Sequence, residues 1–392
     1  MSRRRPGFDV IVVGAGMVGA SLALALARDG REVALVEARE PVAWAPAPRG
    51  LRTVALAADA VALFEDLGVW DAVRMARACP YRRMRVWDAA GGGELVFDAD
   101  AFGQPQLGWI VEVDLLADRL WAAAGEAAGL TRVCPARVES LDHDEGLARV
   151  GLDDGRRLSA PLVVAADGAG SPLRTLAGLD VHAHDYGQRG LVATVRTARA
   201  NQATAWQRFL PGGPLAFLPV DTGLSSIVWS LPEAEAQRLL AVDEAAFRAE
   251  LTRAFDARLG EVLEVGERAA FPLRRQLAPV YHAGRVVLAG DAAHAVHPLA
   301  GQGVNLGLRD VACLRRLLRA AGDRDPGSPH RLARYQRERR GDNELSAWGF
   351  DAINRLFSND ALLPTLLRGP MLGLAGRLPG LADALWRHAA GR

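Results

Sequence analysis

The chain has 392 residues with 47 basic and 46 acidic side chains, a formal net charge of +1, and half of its residues are hydrophobic. This length accommodates two domains that share an interface, and the hydrophobic content allows a large core. The balanced charge excludes the strongly basic surface that nucleic-acid binding normally requires, so no nucleic-acid partner is predicted.

The cysteines and the N-terminal stretch place further bounds on the class of protein. Cys79, Cys134 and Cys313 lie far apart and form no CxxC spacing, which excludes a disulfide framework and a cysteine metal cluster and favours the cytoplasm. Three arginines at positions 3–5 precede an apolar run and mimic a secretory signal. Asp9 and several glycines interrupt that run, so a strand, a turn and a helix are predicted there instead.

The predicted elements begin with a βαβ unit. FDVIVVGAG is typical of a short buried strand, and REVALVEAR of a second one. Between them, MVGASLALALARDG predicts a helix that ends at Gly30.

The middle of the chain changes character. Short strand-like runs separated by glycine and proline turns predict an antiparallel sheet: LVATVRT, AWQRFL, LAFLPV and SSIVWS. A helical pattern follows from about Glu233 to Leu259, and GRVVLAGDAA then predicts a strand that returns to the parallel sheet. Helices complete the chain.

These patterns predict an α/β fold with an α+β insert. A Rossmann-like FAD-binding or similar dinucleotide-binding domain with a parallel sheet is expected over residues 1–72, 105–177 and 278–325. An inserted antiparallel-sheet substrate domain is expected over 73–104 and 178–277, and a C-terminal helical region over 326–392.

Gly14, Gly16 and Gly19 form a G-x-G-x-x-G pattern between the first strand and the first helix. The first glycine permits the tight turn, the second lets a pyrophosphate approach the backbone, and the third lets the helix pack on the strand. Glu37 follows about twenty residues later, where an acid binds a ribose hydroxyl pair and disfavours a 2′-phosphate. FAD or NAD is therefore predicted, with a purely structural glycine turn and a surface role for Glu37 as the alternatives.

Two further apolar strands end in an acid beside a glycine. VVAADGAGSPLR contains Asp167 and Gly168, and RVVLAGD ends with Gly290 and Asp291. Carboxyl ends of strands line the ligand crevice in an open α/β sheet. Helix capping is the alternative for either acid, but three such strand ends in one chain favour a ligand site.

The segment Ala289–Asp310 also carries His294 and His297, which could ligate a metal, take part in catalysis, or orient a loop. No third ligand follows at a suitable spacing, and Pro298 interrupts the helix that would align the histidines. No metal is therefore predicted, and the two histidines are candidate catalytic residues by proximity.

Three motifs together resemble the single-component FAD-dependent aromatic hydroxylases. They are GAGMVG at Gly14–Gly19, ADGAGSPLR at Ala166–Arg174, and AGDAAHAVHPLAGQGVNLG at Ala289–Gly307. The middle stretches, such as LAFLPV and SSIVWSL, are most similar to the ubiquinone-biosynthesis hydroxylases, including the bacterial 2-octaprenylphenol hydroxylases. The resemblance covers nearly the whole chain.

The resemblance implies cofactor roles for matching positions of this sequence. Those positions are Gly14, Gly16 and Gly19 at the pyrophosphate, Glu37 at the ribose, Arg52 near the flavin, Asp167 and Gly168 in a motif associated with FAD and the transient pyridine nucleotide, Asp291 at the ribityl or pyrophosphate part, Pro298 and Gly301–Gly303 facing the isoalloxazine ring, and Gln302 and Asn305 at the same site. Relatives often have Asn or Arg after the equivalent of Glu112. Val113 stands there in this chain, which puts a side-chain contact to the cofactor in doubt.

The implied activity is hydroxylation of the aromatic ring of a polyprenylated phenol or quinol in ubiquinone biosynthesis, with O2 and through a C4a-hydroperoxyflavin. Ring position C5 is favoured over C6 and C1. NAD(P)H is implied as a transient electron donor, with a protein donor as the alternative because no second dinucleotide fingerprint is found. Hydroxylation of a soluble aromatic compound and a non-catalytic flavin-binding role in a biosynthetic complex are the rival functions.

The C-terminal stretch Leu362–Arg392 is apolar and broken by prolines and glycines. It is compatible with helices that pack on the flavin domain, or with an amphipathic surface that docks on a membrane or a partner. The expected location is the cytoplasm, with peripheral contact to the inner membrane left open. A homo-oligomer and a ubiquinone-biosynthesis complex are left open too.

Overall fold

The computed structural model describes residues 7–89, 93–296 and 303–357, with side-chain surroundings described as far as Ser346. The strands, in chain order, are β1 (Val10–Val13), β2 (Val33–Val36), β3 (Thr53–Leu56), β4 (Ala78–Tyr81), β5 (Arg83–Asp88), β6 (Glu94–Asp98), β7 (Gly108–Glu112), β8 (Leu130–Val133), β9 (Val138–His143), β10 (Ala148–Leu152), β11 (Arg157–Ala160), β12 (Leu162–Ala165), β13 (His182–Thr197), β14 (Thr204–Leu210), β15 (Gly213–Asp221), β16 (Leu224–Pro232), β17 (Val262–Val265), β18 (Ala269–Leu277), β19 (His282–Ala283), β20 (Val286–Leu288) and β21 (His294–Ala295).

The helices alternate with these strands in the first half of the chain and follow them at its end. They are α1 (Met17–Arg28), α2 (Ala58–Asp66), α3 (Trp70–Arg77), α4 (Val113–Glu126), α5 (Pro172–Leu176), α6 (Glu233–Ala241), α7 (Glu244–Ala254), α8 (Gly303–Arg319) and α9 (Pro329–Phe357). Within the described ranges, no helix is long and apolar enough to cross a membrane.

The first sheet has the strand order β19-β20-β12-β1-β2-β8, and all its neighbours pair in parallel except β19 and β20. Strands β1, β2, β12 and β20 are apolar and fully buried, because helices cover both faces of a parallel sheet. Helix α1 packs against α4 and α8. This sheet confirms the predicted dinucleotide-binding architecture and the return of β20 to it.

The second sheet has the order β21-β18-β13-β16-β15-β14-β5-β6, with β17 also paired to β13. Its pairs are antiparallel except for β14 with β5, which confirms the predicted inserted sheet. Alternate residues of β13, β15 and β16 form an apolar core with α6 and α7. The predicted helical stretch divides into these two helices at Asp243, whose carboxylate accepts the Ala246 N–H at 2.8 Å and caps α7.

A small sheet, β3-β7-β4, lies between the two large ones. One face of it packs against the opposite face of the antiparallel sheet, through Ala55 and Ile110 on one side and Ala205, Ala216 and Leu218 on the other. The antiparallel sheet reaches the carboxyl edge of the parallel sheet through β21, which follows Asp291 in the chain and pairs with β18.

Candidate functional site

Four parallel strands end level with one another. Backbone hydrogen bonds continue beyond the strands, from Ala289 N to Ala165 O (2.9 Å), from Ala166 N to Val13 O (2.8 Å), and from Gly14 N to Val36 O (2.8 Å). The glycines and acids that directly follow these residues therefore lie side by side along one edge of the sheet. This edge is where an open α/β sheet binds its ligand.

The three glycines of the first turn have three different surroundings. Gly14 has φ +98°, and a Cβ there would lie 2.4 Å from the Ala166 carbonyl oxygen. A Cβ on Gly19 would lie 1.9 Å from the Gly14 carbonyl oxygen, so only glycine lets α1 pack this closely on the turn. A Cβ on Gly16 would meet nothing within 4 Å. The fold itself thus requires Gly14 and Gly19, whereas Gly16 faces open space.

Glu37 reaches back to this turn. Its Oε2 accepts the Ala15 N–H at 2.6 Å, and its Oε1 accepts the Arg39 N–H at 3.1 Å. The half-buried carboxylate therefore lies beside the N-terminus of α1, which no side chain caps. These contacts hold Glu37 at the glycine turn, and its predicted role at the ribose stays a prediction.

Asp167 makes the contacts of a helix-capping residue. It accepts hydrogen bonds from the Ser171 hydroxyl and, at 3.1 Å, from the Leu173 N–H in the first turn of α5. Burial raises the pKa of Asp167, and these hydrogen bonds counteract part of the rise. The buried Arg174 donates to the Ala292 carbonyl at 2.9 Å and so ties this turn to the next strand end. Gly168 has φ +88° and open space around it.

Asp291 behaves differently. Its side chain is exposed to the cleft, and no hydrogen bond to its carboxylate is found in the described ranges, so helix capping is not its role there. The surrounding protein raises its pKa by desolvation, which the charges of His294 and Arg52 only partly offset. The exposed Arg52 lies with its guanidinium 5.7 Å from the centre of the Phe271 ring. Among the described residues, Asp291 is thus an exposed carboxylate without a hydrogen-bond partner, at the same sheet edge as the glycine turn.

His294 is fully buried and bonds to the protein. Its Nε2 lies 2.5 Å from Asp310 Oδ2, which also accepts the Gly290 N–H at 2.9 Å. Arg339 Nε donates to the other Asp310 oxygen at 2.7 Å. Although burial opposes it, these partners hold the pKa of Asp310 at about 2. The described contacts of His294 are structural, and its proposed catalytic role stays a prediction.

Asn305 ties the start of α8 to β3. Its amide donates to the Ala55 carbonyl at 2.8 Å and accepts the Ala57 N–H at 3.1 Å, which occupies the side chain with protein backbone. Gly303 is the first residue of α8. The other predicted residues of this segment, His297, Pro298, Gly301 and Gln302, lie outside the described residues.

Glu112 has a positional role that the sequence alone did not assign. It is 4% exposed and accepts hydrogen bonds from Trp44 Nε1 (3.1 Å), Gly50 N (3.0 Å) and Arg77 Nη1 (2.7 Å). The backbone N–H of Val113 donates to the Arg52 carbonyl at 2.9 Å. Val113, the residue after Glu112, thus holds the backbone of Arg52 through a backbone hydrogen bond and not through its side chain.

A small cavity of about 20 Å³ lies between the small sheet and the antiparallel sheet. Its lining is apolar apart from two side chains and consists of Ala55, Tyr81, Met84, Ile110, Ala205, Trp206, Gln207, Ala216 and Leu218. Neither Tyr81 nor Gln207 was singled out by the sequence, because their common cavity depends on how distant strands pair.

Comparison with known proteins identifies the family. A family model described as an FAD binding domain matches residues 7–344. The ubiquinone hydroxylase UbiL of Rhodospirillum rubrum is 39% identical over 386 residues, which is 98% of this chain and 89% of the relative. The 3-demethoxyubiquinol 3-hydroxylase of Escherichia coli is 39% identical, covering 93% of each chain, and the mitochondrial ubiquinone biosynthesis monooxygenase COQ6 of Homo sapiens is 32% identical, covering 92% of this chain and 88% of the relative.

This chain belongs to the FAD-dependent ubiquinone-biosynthesis hydroxylase family.

Solved structures share the fold of this hydroxylase. The p-nitrophenol 4-monooxygenase PnpA of Pseudomonas putida DLL-E4 matches with a TM-score of 0.78 at 21% identity over 98% of both chains. PqsL of Pseudomonas aeruginosa in complex with 2-aminobenzoylacetate matches with a TM-score of 0.75 at 25% identity, covering 96% of this chain and 99% of the other. The hydroxylase is an FAD-dependent aromatic-ring monooxygenase.

The sheet edge of the hydroxylase fits FAD. The open space at Gly16 admits a pyrophosphate, and the uncapped N-terminus of α1 offers it N–H donors. The carboxylate of Asp291, exposed at this edge, is a strong acceptor for ligand hydroxyl groups. In the part of the chain that the structure describes, no group of three or more His, Cys, Asp or Glu residues is placed to hold a metal ion.

Proposed function

We propose that this monooxygenase hydroxylates the aromatic ring of a polyprenylated phenol or quinol in ubiquinone biosynthesis, at C5 rather than C6 or C1. The observation that carries the proposal is a sheet edge whose open turn at Gly16 and uncapped helix α1 fit FAD, in a chain with near-full-length relatives named ubiquinone hydroxylase and 3-demethoxyubiquinol 3-hydroxylase.

In this proposal, the sheet edge binds the dinucleotide. The N–H groups of α1 bind the pyrophosphate at Gly16, Glu37 binds the adenosine ribose, and Asp291 binds the ribityl or pyrophosphate part. Asp167 contributes indirectly in this proposal. Its carboxylate holds the turn that presents Gly168 to the cofactor. Bound FAD supplies the activation of O2 and the transfer of one oxygen atom to the ring.

In this proposal, the positive N-terminal end of α8 faces the flavin. Asn305 fixes this helix end to β3, so its N–H groups keep one orientation. Reduced flavin carries negative charge at its N1/O2 edge, and a helix N-terminus stabilises such charge. The proposed contribution of Gly303 and the preceding segment is therefore backbone electrostatics rather than side-chain chemistry.

The electron donor and the location are also proposals. We propose NAD(P)H as a transient donor that binds without a second dinucleotide fold. A cytoplasmic protein with peripheral contact to the inner membrane would bring the ring of a membrane-borne substrate to the flavin. Assembly with other ubiquinone-biosynthesis proteins, or with a second copy of this chain, would assist the same transfer.

The purified holoenzyme tests the proposed substrate. We expect it to be yellow and to oxidise NADH or NADPH faster when a geranylated phenol is added, with a product one oxygen heavier by mass spectrometry. Comparison with authentic ring-hydroxylated standards assigns the position. Stimulation by soluble phenols alone would replace this proposal with the soluble-aromatic alternative, and absence of turnover with any phenol would leave a non-catalytic flavin-binding role.

A further inference from the structure

Two buried side chains hold the turn that carries Asp291. Asp310 Oδ2 accepts the Gly290 N–H at 2.9 Å, on one side of Asp291. Arg174 donates to the Ala292 carbonyl at 2.9 Å, on the other side. The backbone on either side of Asp291 therefore has fixed partners, and the position of the Asp291 carboxylate depends on them.

Asp310 is a carboxylate with 0% exposure and hydrogen-bond partners on both of its oxygens. Its Oδ2 is shared by Gly290 N and His294 Nε2. Its Oδ1 accepts Arg339 Nε at 2.7 Å and Asn343 Nδ2 at 3.4 Å. An ionised group at this depth requires an opposite charge. Among the described partners of Asp310, Arg339 is the one that is charged at every physiological pH, because arginine does not deprotonate in proteins.

Arg339 lies on α9 and is held in one orientation. It is 4% exposed, and its two terminal nitrogens donate to Asp342 at 2.8 Å and to Asn343 at 2.9 Å. The Asn343 amide donates in turn to the Tyr281 hydroxyl at 3.2 Å. The Asp342 carboxylate is exposed to solvent, so Asp310 is the buried charge that Arg339 compensates.

Removal of the Arg339 charge would change the buried acid. A carboxylate without solvent exposure and without a counter-charge is expected to bind a proton, because desolvation penalises its charged form. A protonated Asp310 would accept the Gly290 N–H less strongly, since hydrogen bonds to an ionised acceptor are the stronger ones. The turn that carries Asp291 would then lose part of its support.

We propose that Arg339 is a positioning residue of the cofactor site, and that it acts on Asp291 through Asp310. Arg339 keeps Asp310 ionised, and the ionised carboxylate holds the Gly290 N–H. The turn then presents Asp291 to the dinucleotide. Helix α9, which lies in the C-terminal region beyond the expected FAD-binding domain, thus takes part in flavin binding. This inference rests on the proposed contact of Asp291 with FAD.

Arg315 provides a matched control on α8. It is 7% exposed and binds the Asp29 carboxylate with two hydrogen bonds, at 2.9 and 3.0 Å. Asp29 directly follows the C-terminal end of α1, whereas the glycine turn lies at the N-terminal end of this helix of 12 residues. The two ends are roughly 18 Å apart along the helix axis. Loss of the Arg315 pair should therefore lower stability without an effect at the cofactor.

The test measures FAD affinity and stability in the same variants. The purified holoenzyme is diluted at a temperature where the variant is folded, and the dissociation constant follows from the fluorescence of the released FAD. We expect Arg339→Met to bind FAD about ten-fold more weakly, a coupling typical of residues in one hydrogen-bond network. Arg339→Lys keeps the charge and should restore most of the affinity. Arg315→Met should lower the thermal midpoint and keep the wild-type affinity for FAD.

A double variant tests the route through Asp310. Asp310→Asn should itself weaken FAD binding, because a neutral amide oxygen accepts the Gly290 N–H less strongly. Arg339→Met added to Asp310→Asn should cause no further loss of FAD affinity, since the buried charge that Arg339 compensates is already absent. Additive losses would show that Arg339 acts by another route and would overturn the proposal.

The outcomes separate this inference from the proposed cofactor contact. Full FAD affinity in Asp291→Asn means that the proposed contact of Asp291 fails. Weak FAD binding in Asp291→Asn together with wild-type affinity in folded Arg339→Met overturns the inference alone, as does a loss in Arg339→Met no larger than that in Arg315→Met. If Arg339→Met does not fold, the double variant decides, because it leaves no unpaired charge at this position. An affinity below that of Asp310→Asn then overturns the inference.

Discussion

Asp310 Oδ2 lies 2.5 Å from His294 Nε2 and links this histidine to the strand end that carries Asp291. The same carboxylate oxygen accepts the Gly290 N–H, one residue before Asp291. A charge buried on α8 therefore sets the backbone of the turn at the sheet edge. His294 therefore supports this turn through Asp310.

This relationship predicts the behaviour of His294→Ala. Asp310 would keep Arg339 and Gly290 as partners but lose one buried hydrogen bond, so we expect a loss of about 1–3 kcal/mol in the free energy of unfolding. FAD content and most of the hydroxylation should remain at temperatures where the variant is folded. Thermal unfolding and turnover, measured together, check this. A normally stable variant that retains FAD and has lost hydroxylation would make His294 catalytic instead.

The glycines of the first turn predict a contrast. Gly16→Ala should fold normally, because a Cβ there meets no protein atom within 4 Å, yet it should bind FAD less tightly, and Gly16→Val should lose the flavin. Gly19→Ala should destabilise the protein itself, because its Cβ would overlap the Gly14 carbonyl oxygen. Circular dichroism, thermal unfolding and the flavin-to-protein absorbance ratio separate the two effects. Full FAD occupancy in Gly16→Val would show that the pyrophosphate lies elsewhere.

Substitution of Asp291 should have opposite effects on two properties: it should weaken flavin binding and stabilise the FAD-free protein. Asp291→Ala and Asp291→Asn should purify without most of their FAD. Because desolvation by the surrounding protein raises the pKa of Asp291, its ionised form destabilises the fold at pH values above that raised pKa. Asp291→Asn should therefore raise the thermal midpoint of the FAD-free protein at pH 7.

The pH dependence of this gain provides the control for Asp291. The advantage of the asparagine should shrink as the pH falls through the raised pKa and vanish below the usual aspartate value of 3.8. Deflavinated wild type and Asp291→Asn are compared by thermal unfolding at several pH values. Full FAD content in either variant would refute the assignment of Asp291 to the cofactor.

The parallel sheet could be predicted from sequence because its signals are local. Continuous apolar strands, the G-x-G-x-x-G turn and a β-branched strand before Asp291 each identify their own element. Parallel pairing then aligns the ends of these strands. The sequence could therefore predict which residues lie next to one another along the cofactor-binding edge. Asp167 shows the limit of this approach, since only its hydrogen bonds reveal that it holds the α5 turn.

The buried support and the cavity could not be predicted because they depend on tertiary contacts. His294 and Asp310 are 16 residues apart, and their pairing requires the packing of α8 against the turn. The pairing of β14 with β15 determines which face of β14 lines the cavity, and Gln207 lies on that face. The available signal was a polar residue at a position that alternates with Ala205 and Phe209 along β14, and this signal does not identify what the residue faces.

The C-terminal stretch predicts a difference in membrane recovery. A protein truncated near Asn359 should float with liposomes less than the full chain if this stretch docks on the membrane. Recovery of both proteins after liposome flotation, with flavin content as the measure of folding, checks this. Equal recovery in a folded truncated protein would favour helices that pack on the flavin domain.

Complementation tests the central claim most directly. The gene is expressed in bacterial strains that each lack one ring hydroxylase of ubiquinone biosynthesis, and the quinone intermediates are identified by mass spectrometry. The account predicts that ubiquinone returns in the strain lacking C5 hydroxylation and that the unhydroxylated intermediate disappears there. Restoration in none of the strains, with a folded, FAD-loaded protein present, would contradict the account.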